Sequence, residues 1–428
     1  MRLYFLNRYF HPDHSATSQM LSDLVFALAQ RGHRITVITS RLSYDDPTIR
    51  LPRRETLHGV EIVRLATTGF GRGGLIGRAA DYATFGLAAA WLLLWRLRCG
   101  DIVVTKTDPP LLSLMTTPIA RLRGASVVNW LQDIFPEVAT GLGMARGGLS
   151  GAAVGLLQWL RDCALRKASL NIAIGDRMAA EVRRMGVAPD RVRVIHNWAD
   201  AQSIRPMPAQ HNRLRREWGL EGKFVVGYSG NLGRAHDVAT ILAAIEMSAR
   251  ETQASPVAAS ATGAPPPTAE SNASVRWLFV GGGAQLESLK VEVDQRGDRN
   301  VMFQPYQPRE TLSESLSVPD VHLITLRAAL EGLIVPSKYY GIAAAGRPAI
   351  FIGDPDGEIG RILTTTDTGI VVAEGDGAAL VRAVRALASD PERCAAMGRR
   401  ARALFEAKYD LAFAIDAWED AILTLAHR

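Results

Sequence analysis

The chain has 428 residues, 47% of them hydrophobic and 21% charged, which is enough for two or three packed domains and excludes wholesale disorder. Lys and Arg number 49 against 43 Asp and Glu, a net charge of +6. That mild excess favours anionic partners such as nucleotide phosphates or a membrane surface, but no Lys/Arg run is dense enough for a nucleic-acid partner. The elements then follow in chain order. Leu3-Tyr4-Phe5-Leu6 reads as a buried strand, and His11, Asp13 and His14 interrupt it before a signal-peptide core could form. A helix with Leu21, Leu24, Val25 and Leu28 on one stripe follows, closed by Gly32. Strands are predicted over 35–39, 61–65 (after a turn at His58-Gly59), 102–104, 126–130, 170–174 and 193–195. The scheme repeats over 224–228, 277–280, 301–303, 321–325, 348–352 and 370–372.

Unbroken β-branched runs separated by helices indicate parallel sheets covered on both faces. The fold class is therefore α/β, with two tandem doubly wound Rossmann-like domains, one over residues 1–200 and one over 201–409, and the boundary in the polar, Pro-bearing stretch 197–208. Residues 251–274 are rich in Ala, Pro, Ser and Thr and read as a flexible insertion, since they cannot bury enough apolar surface to offset their ordering entropy. The longest apolar stretch, 82–95, is shorter than the roughly 20 residues of a spanning helix. Cys99, Cys163 and Cys394 are isolated, so they build neither a disulfide framework nor a metal site and suit a reducing cytoplasm.

Three loops carry candidate chemistry. After strand 321–325 comes Glu331, then Pro336-Ser337-Lys338, with Pro336 expected to open a helix that Gly346 closes. A helix N-terminus at the C-terminal edge of a parallel sheet offers free N–H groups and a positive dipole end, where phosphates bind. Ser337 and Lys338 add a hydroxyl and an ammonium, and Glu331 is placed to hold sugar hydroxyls. A capped helix with a solvated Glu and Lys would give the same residues. In Gly227-Tyr228-Ser229-Gly230-Asn231-Leu232-Gly233-Arg234, three glycines after a strand let backbone approach a ligand, and Arg234 could pair with a diphosphate. Gly281-Gly282-Gly283 follows the next strand, where a tight turn into a helix explains it equally well. Asp133, before Phe135-Pro136, suits catalysis or a local turn. Asp354-Pro355-Asp356 reads as a turn.

In order and spacing, Gly32-His33 with its following strand, Asp133-Ile134-Phe135-Pro136-Glu137, Val194 to Trp198, Tyr228 to Gly233, Val280 to Gly283, Glu331 to Lys338 and Ala345-Gly346-Arg347-Pro348 resemble the retaining glycosyltransferases of family 4, which have the type B (GT-B) fold of two Rossmann-like domains facing across a cleft. The Pro-Ser-Lys-x-Tyr pattern is similar to a subgroup of exopolysaccharide and O-antigen transferases. The resemblance implies a nucleotide-sugar donor on the second domain, held by Gly230, Asn231, Gly233, Arg234, Glu331, Val335, Pro336, Ser337, Lys338 and Tyr339. It places Asn231 and His236 where the family has its diphosphate-gripping arginine and lysine, Tyr339 where it has a second acid, and Gln132-Asp133 where it often has His-Asp. It implies that the first domain takes a lipid-linked or oligosaccharide acceptor near His11, Asp13, His14 and Thr17, with a turn at Asp13 and a Ser15 helix cap as the alternative for that loop. Asp133 and Glu331 are the catalytic candidates, no metal and no cofactor is implied, and the last helix, 410–428, is expected to cross back to the first domain.

The basic Gly-rich segment leading into the apolar stretch, together residues 70–98, is flanked by arginines and ends in tryptophans, so it suits peripheral contact with the inner face of a membrane as well as a buried helix. Two other functions use the same fold elements: a nucleotide-sugar 2-epimerase, which acts on donor alone, and a non-catalytic subunit of a polysaccharide assembly complex.

Overall fold

A computed structural model describes residues 1–13, 15–43, 48–71, 74–143, 151–258 and 274–426. The chain divides into two compact units. One comprises Met1–Asn197, Gly332–Val335 and Leu411–Arg428, and the other Trp198–Glu331 and Pro336–Asp410.

The first unit is built on β1 (Leu3–Leu6), β2 (Ile35–Ser40), β3 (Arg54–Leu57), β4 (Val60–Leu65), β5 (Ile102–Lys106), β6 (Ser126–Trp130), β7 (Leu170–Ala173) and β8 (Val192–Val194), in the order β3-β4-β2-β1-β5-β6-β7-β8. Every pairing is parallel except β3 with β4. That hairpin was not predicted: β3 is Arg-Glu-Thr-Leu, half exposed at the sheet edge, and carries no apolar run. Its turn residues His58 and Gly59 both have positive φ, 47° and 80°, the backbone that matches strand twist in a two-residue hairpin. β1, β2 and β5 are buried along their whole length, as strands covered on both faces must be.

The helices of this unit are α1 (Ala16–Gln30), α2 (Leu75–Arg96), α3 (Leu112–Leu122), α4 (Glu137–Gly141), α5 (Gly151–Lys167) and α6 (Asp176–Arg184). Ser15 Oγ accepts from Ser18 N (3.3 Å) and caps α1. Phe85, Ala89 and Leu93 of α2 join Tyr4, Leu6, Val103 and Val127 in one core. Glycine at position 86 lets α3 pack close, since a Cβ there would lie 2.3 Å from Met115 Sδ.

The second unit contains α7 (Arg213–Glu217), β9 (Phe224–Asn231), α8 (Ala239–Ala258), β10 (Val275–Gly282), α9 (Leu286–Arg296), β11 (Val301–Gln304), α10 (Leu312–Leu316), β12 (Val321–Thr325), α11 (Lys338–Ala344), β13 (Ala349–Ile352), α12 (Glu358–Thr366), β14 (Gly369–Val372), α13 (Gly377–Ala388) and α14 (Pro391–Lys408). Its sheet is parallel throughout, in the order β11-β10-β9-β12-β13-β14. Helix α8 runs to Ala258, so it takes in the first eight residues of the stretch read as a flexible insertion; residues 259–273 lie outside the described residues. The closing helix, α15 (Leu411–Ala426), packs in the first unit. Trp418 meets Trp130 (ring centroids 4.8 Å) and Phe5 (6.4 Å), and Glu419 binds Arg31 and His33.

Each sheet has a point where consecutive strands depart in opposite directions, at β1/β5 in the first unit and at β9/β12 in the second. In open α/β sheets, ligands bind beyond the strand C-termini at such points.

Candidate functional site

In the second unit the switch point gathers the loops after β9, β10 and β12. Gly281 has φ +130°, and a Cβ on it would lie 2.4 Å from Gly230 O. A Cβ on Gly283, also at φ +130°, would lie 2.5 Å from Leu232 N and Asn231 Oδ1. These glycines therefore let two loops pack backbone to backbone, fixed by Leu232 N donating to Gly282 O (2.7 Å) and Gln285 Nε2 to Gly233 O (2.8 Å). The Asn231 and Arg234 side chains are left exposed on the rim.

Helix α11 begins at Lys338 rather than at Pro336. Pro336 is buried, and Ser337 is the exposed N-cap with no side-chain capping bond, because it already has helical φ and ψ. Lys338 turns inward. Its Nζ lies 3.5 Å from the centroid of the Tyr228 ring, and it is buried without a hydrogen-bond partner. Burial alone drives its pKa well below the usual lysine range. Tyr228 O–H donates to Asn231 O (2.9 Å). His236 packs edge-on against Tyr228 and bonds Thr325 O through Nδ1 (2.6 Å). Burial, and next the Lys338 charge, push His236 down to about 3, so it is a neutral donor at neutral pH. Ser229 Oγ, at the end of the same strand as Tyr228, is buried without a partner; sequence reading quoted this residue in its loop without giving it a role.

Glu331 is half-buried and its carboxylate is held. Its carboxylate accepts from Glu358 N (2.7 Å) at the start of α12, and Gly357 leaves room for it, since a Cβ there would fall 2.5 Å from Glu331 Oε2. The helix end thus fixes the carboxylate. Tyr339, expected beside the donor, is 1% exposed and packs against Tyr340 and Tyr409 inside the second unit, because α11 points that side chain into the core. Val335 is buried and groups with the first unit. Asp354 forms the expected turn, accepting from Asp356 N (2.9 Å).

In the first unit the loop after β1 is more committed to structure than sequence suggests. Asp13 is buried and accepts from Ser43 Oγ (3.0 Å). His11 is exposed, with its ring edge-on to Phe26, and Thr17 is half-buried in the first turn of α1. His14 lies outside the described residues. Asp133 lines a cavity of about 40 Å³ together with Lys106, Thr107, Ser113 and Asn129. Its Oδ1 is buried without a partner, and burial raises the carboxyl to about 6, with Asp108 adding to the rise and Thr107 opposing it.

Lys106 escaped sequence analysis, since a lysine closing a β-branched run looks like a solvated strand end. The structure buries it. Its Nζ lies 3.7 Å from the Trp130 ring centroid and donates to Thr17 O (2.9 Å), and burial lowers it to about 7. Position at a strand C-terminus next to the switch point is the one sequence signal that could have found it. A larger concavity, about 230 Å³ around Lys223, Asp320 and Arg347, lies where strands of the second sheet begin, on the edge away from these loops. Among the described residues, no group of three or more His, Cys, Asp or Glu side chains is placed to hold a metal ion.

Two family models cover most of the chain: a glycosyl transferase 4-like domain over residues 16–198 and glycosyl transferases group 1 over 210–404. The chain is 29% identical to the probable glycosyltransferase WbjE of Pseudomonas aeruginosa over 68% of its own length and 66% of WbjE's. It is 25% identical to the putative colanic acid biosynthesis glycosyl transferase WcaI of Escherichia coli K12, over 62% and 61% of the two lengths. The match thus spans just under two thirds of each of these relatives. Among solved structures, Anabaena Alr3699/HepE in complex with UDP aligns over 99% of this chain and all of its own with a TM-score of 0.71 at 14% identity, a likeness of fold. With both models matched in tandem and a doubly wound parallel sheet under each, the chain belongs to the family 4 type of glycosyltransferase and has the GT-B fold of two Rossmann-like domains.

Proposed function

We propose that the protein moves a sugar from a nucleotide-sugar donor to a lipid-linked or oligosaccharide acceptor, with retention at the anomeric carbon, in the synthesis of a cell-surface polysaccharide. One observation carries this reading: the Lys338 ammonium is buried over the Tyr228 ring with no hydrogen-bond partner. A buried charge without a partner is costly, and a diphosphate would supply the missing counter-charge. The Lys338 amide at the start of α11 and the Ser337 hydroxyl offer further donors to the same phosphates, while Tyr339 N and Tyr340 N donate to Pro336 O and Ser337 O. The exposed Arg234 supplies a second cation at the loop rim.

In the reaction, the bond from the anomeric carbon to the β-phosphate oxygen breaks, and a bond to the acceptor oxygen forms on the same face. Negative charge builds on the departing nucleoside diphosphate, and Lys338, through its ammonium and its amide, stabilises it more in the transition state than in the bound donor. The acceptor hydroxyl loses its proton. Asp133, ionised above about pH 6, is the first-unit group suited to receive it. Glu331, held by the start of α12, offers its remaining lone pairs to sugar hydroxyls. His11 and Thr17 flank the acceptor side. The arginine-bounded segment 70–98 meets the inner face of a membrane; among the described residues no helix is long and apolar enough to cross one.

The test is thermal stabilisation of the purified chain by UDP-, GDP- and dTDP-sugars, with UDP-sugars first because the Anabaena protein has been seen with UDP. One donor should raise the melting temperature and Lys338→Met should abolish the rise. No shift with any donor overturns the reading, and an epimerised donor formed without acceptor replaces it with the isomerase.

A further inference from the structure

We propose that the outer face of α2, α3 and α5 is a bilayer-docking surface that recognises anionic phospholipid. The inference rests on the membrane contact just proposed for residues 70–98 and widens it to two further helices. Helix α2 packs against α3, and α3 against α5, so the three form one layer on the first sheet. Their outward side chains are apolar where a soluble helix carries charge. Trp91 and Trp95 are 65% and 69% exposed and touch edge to face. Leu122 on α3 and Trp159 on α5 are 73% and 59% exposed, and Leu87 on α2, one turn before Trp91, and Leu156 on α5 are exposed as well. Between Asp81, which is buried and paired with Arg8, and Arg96, α2 has no charged residue; from Gly151 to Leu160, neither has α5.

The charge sits at one end. Each of these helices leads from the C-terminal end of one parallel strand to the start of the next, so their C-termini share an edge of the layer. All three finish on basic pairs: Arg96 and Arg98, Arg121 and Arg123, Arg166 and Lys167. Arg96 pairs with Glu61, while among the described residues the other five make no ion pair. Asp162, the acidic residue of α5, is taken by Arg161, and Asp101 is buried. An apolar face carrying tryptophans, bounded on one side by cations without counter-ions, fits an acyl boundary beneath anionic headgroups. A second copy of the chain would bring the same basic rim against itself.

The full-length protein should co-sediment with vesicles of phosphatidylcholine and phosphatidylglycerol in equal parts, bind vesicles of phosphatidylcholine alone far more weakly, and release from the mixed vesicles at high salt. Trp159→Ser should lower affinity for the mixed vesicles about tenfold, and Arg121→Ser with Arg123→Ser about fivefold for each arginine removed. Trp159 is exposed, so Trp159→Ser should keep the melting temperature of the parent, while Arg123 Nε also donates to Leu97 O (3.1 Å), so the arginine variant should lower it by no more than a few degrees. Unchanged binding by Trp159→Ser, no binding to either vesicle, or a solution dimer that Trp159→Ser dissociates would each overturn the proposal. Nucleotide-sugar stabilisation measured on the same samples separates the two readings. Lost vesicle binding with donor stabilisation intact sinks the docking surface alone, and intact vesicle binding with no donor stabilisation sinks the transferase reading alone.

Discussion

The two units each bury a lysine ammonium on an aromatic face near the C-terminal edge of the sheet. Lys106 lies over Trp130 in the first and Lys338 over Tyr228 in the second. The cation–π contact is the same, yet the hydrogen bonding is opposite. Lys106 has a backbone acceptor in Thr17 O, and Lys338 has no acceptor. A satisfied buried cation ties structure together, here the end of β5 to the first turn of α1. An unsatisfied one is costly until a ligand arrives, so it marks a receptor for negative charge. The sum of hydrogen bonds at the charge, not burial or aromatic contact, separates tie from receptor.

The sharpest way to break this comparison is Lys338→Met, which keeps an apolar stem on Tyr228 and removes the charge. We expect kcat/KM to fall about a hundred- to a thousandfold, or roughly 3–4 kcal/mol, while the melting temperature of the free protein holds or rises. A protein that melts much lower would make Lys338 a tie like Lys106. Next in size is Glu331→Ala. It removes the carboxylate from the start of α12 and should cost about 1 kcal/mol of stability in denaturant titration, together with a tenfold or greater loss of activity. Loss of stability alone would leave Glu331 a helix cap only.

Lys106→Met should show the mirror image of Lys338→Met. It loses the hydrogen bond to Thr17 O and lowers stability by about 1 kcal/mol above neutral pH, with donor-induced stabilisation unchanged. Because burial depresses Lys106 to about 7, the folded state binds this proton less tightly than the unfolded state. Its contribution to stability is therefore present at high pH and lost as pH falls through about 7, a slope the variant should flatten. Asp133→Asn tests the opposite sign. Its folded carboxyl is raised to about 6, so that contribution is complete below the ordinary carboxyl range and lost as pH rises through about 6. The variant should remove this slope from the melting curves and also the rise in activity over the same window; an unchanged activity profile would take Asp133 out of proton transfer. The smallest effect is expected for Tyr339→Phe, within about 0.5 kcal/mol in stability and without change in donor affinity. A clear loss of donor affinity would place Tyr339 at the donor.

Where the candidate site's loops lie in the fold was legible because strand ends and glycine loops are local features. Gly230, Gly233 and Lys338 could be placed at a sheet edge from period and turn residues alone. What sequence could not show shares a cause. Tyr339 follows Glu331 in the family pattern, but the direction its side chain takes from a short helix depends on what that helix packs against. β3 was missed because an exposed edge strand has no apolar run to announce it. Lys106 was missed because burial of a lysine is decided by residues far along the chain, Thr17 and Trp130, which the fold brings to it.

From the amino-acid order alone came the alternation of strands and helices, the pair of doubly wound domains and the edge of each sheet where chemistry collects, since hydrophobic period and turn preference act over a few residues. Tertiary structure alone decided which polar groups at those edges are already satisfied. Hydrogen bonds between residues many positions apart hold Glu331, Asp13 and Lys106, and leave Lys338 and one oxygen of Asp133 without partners.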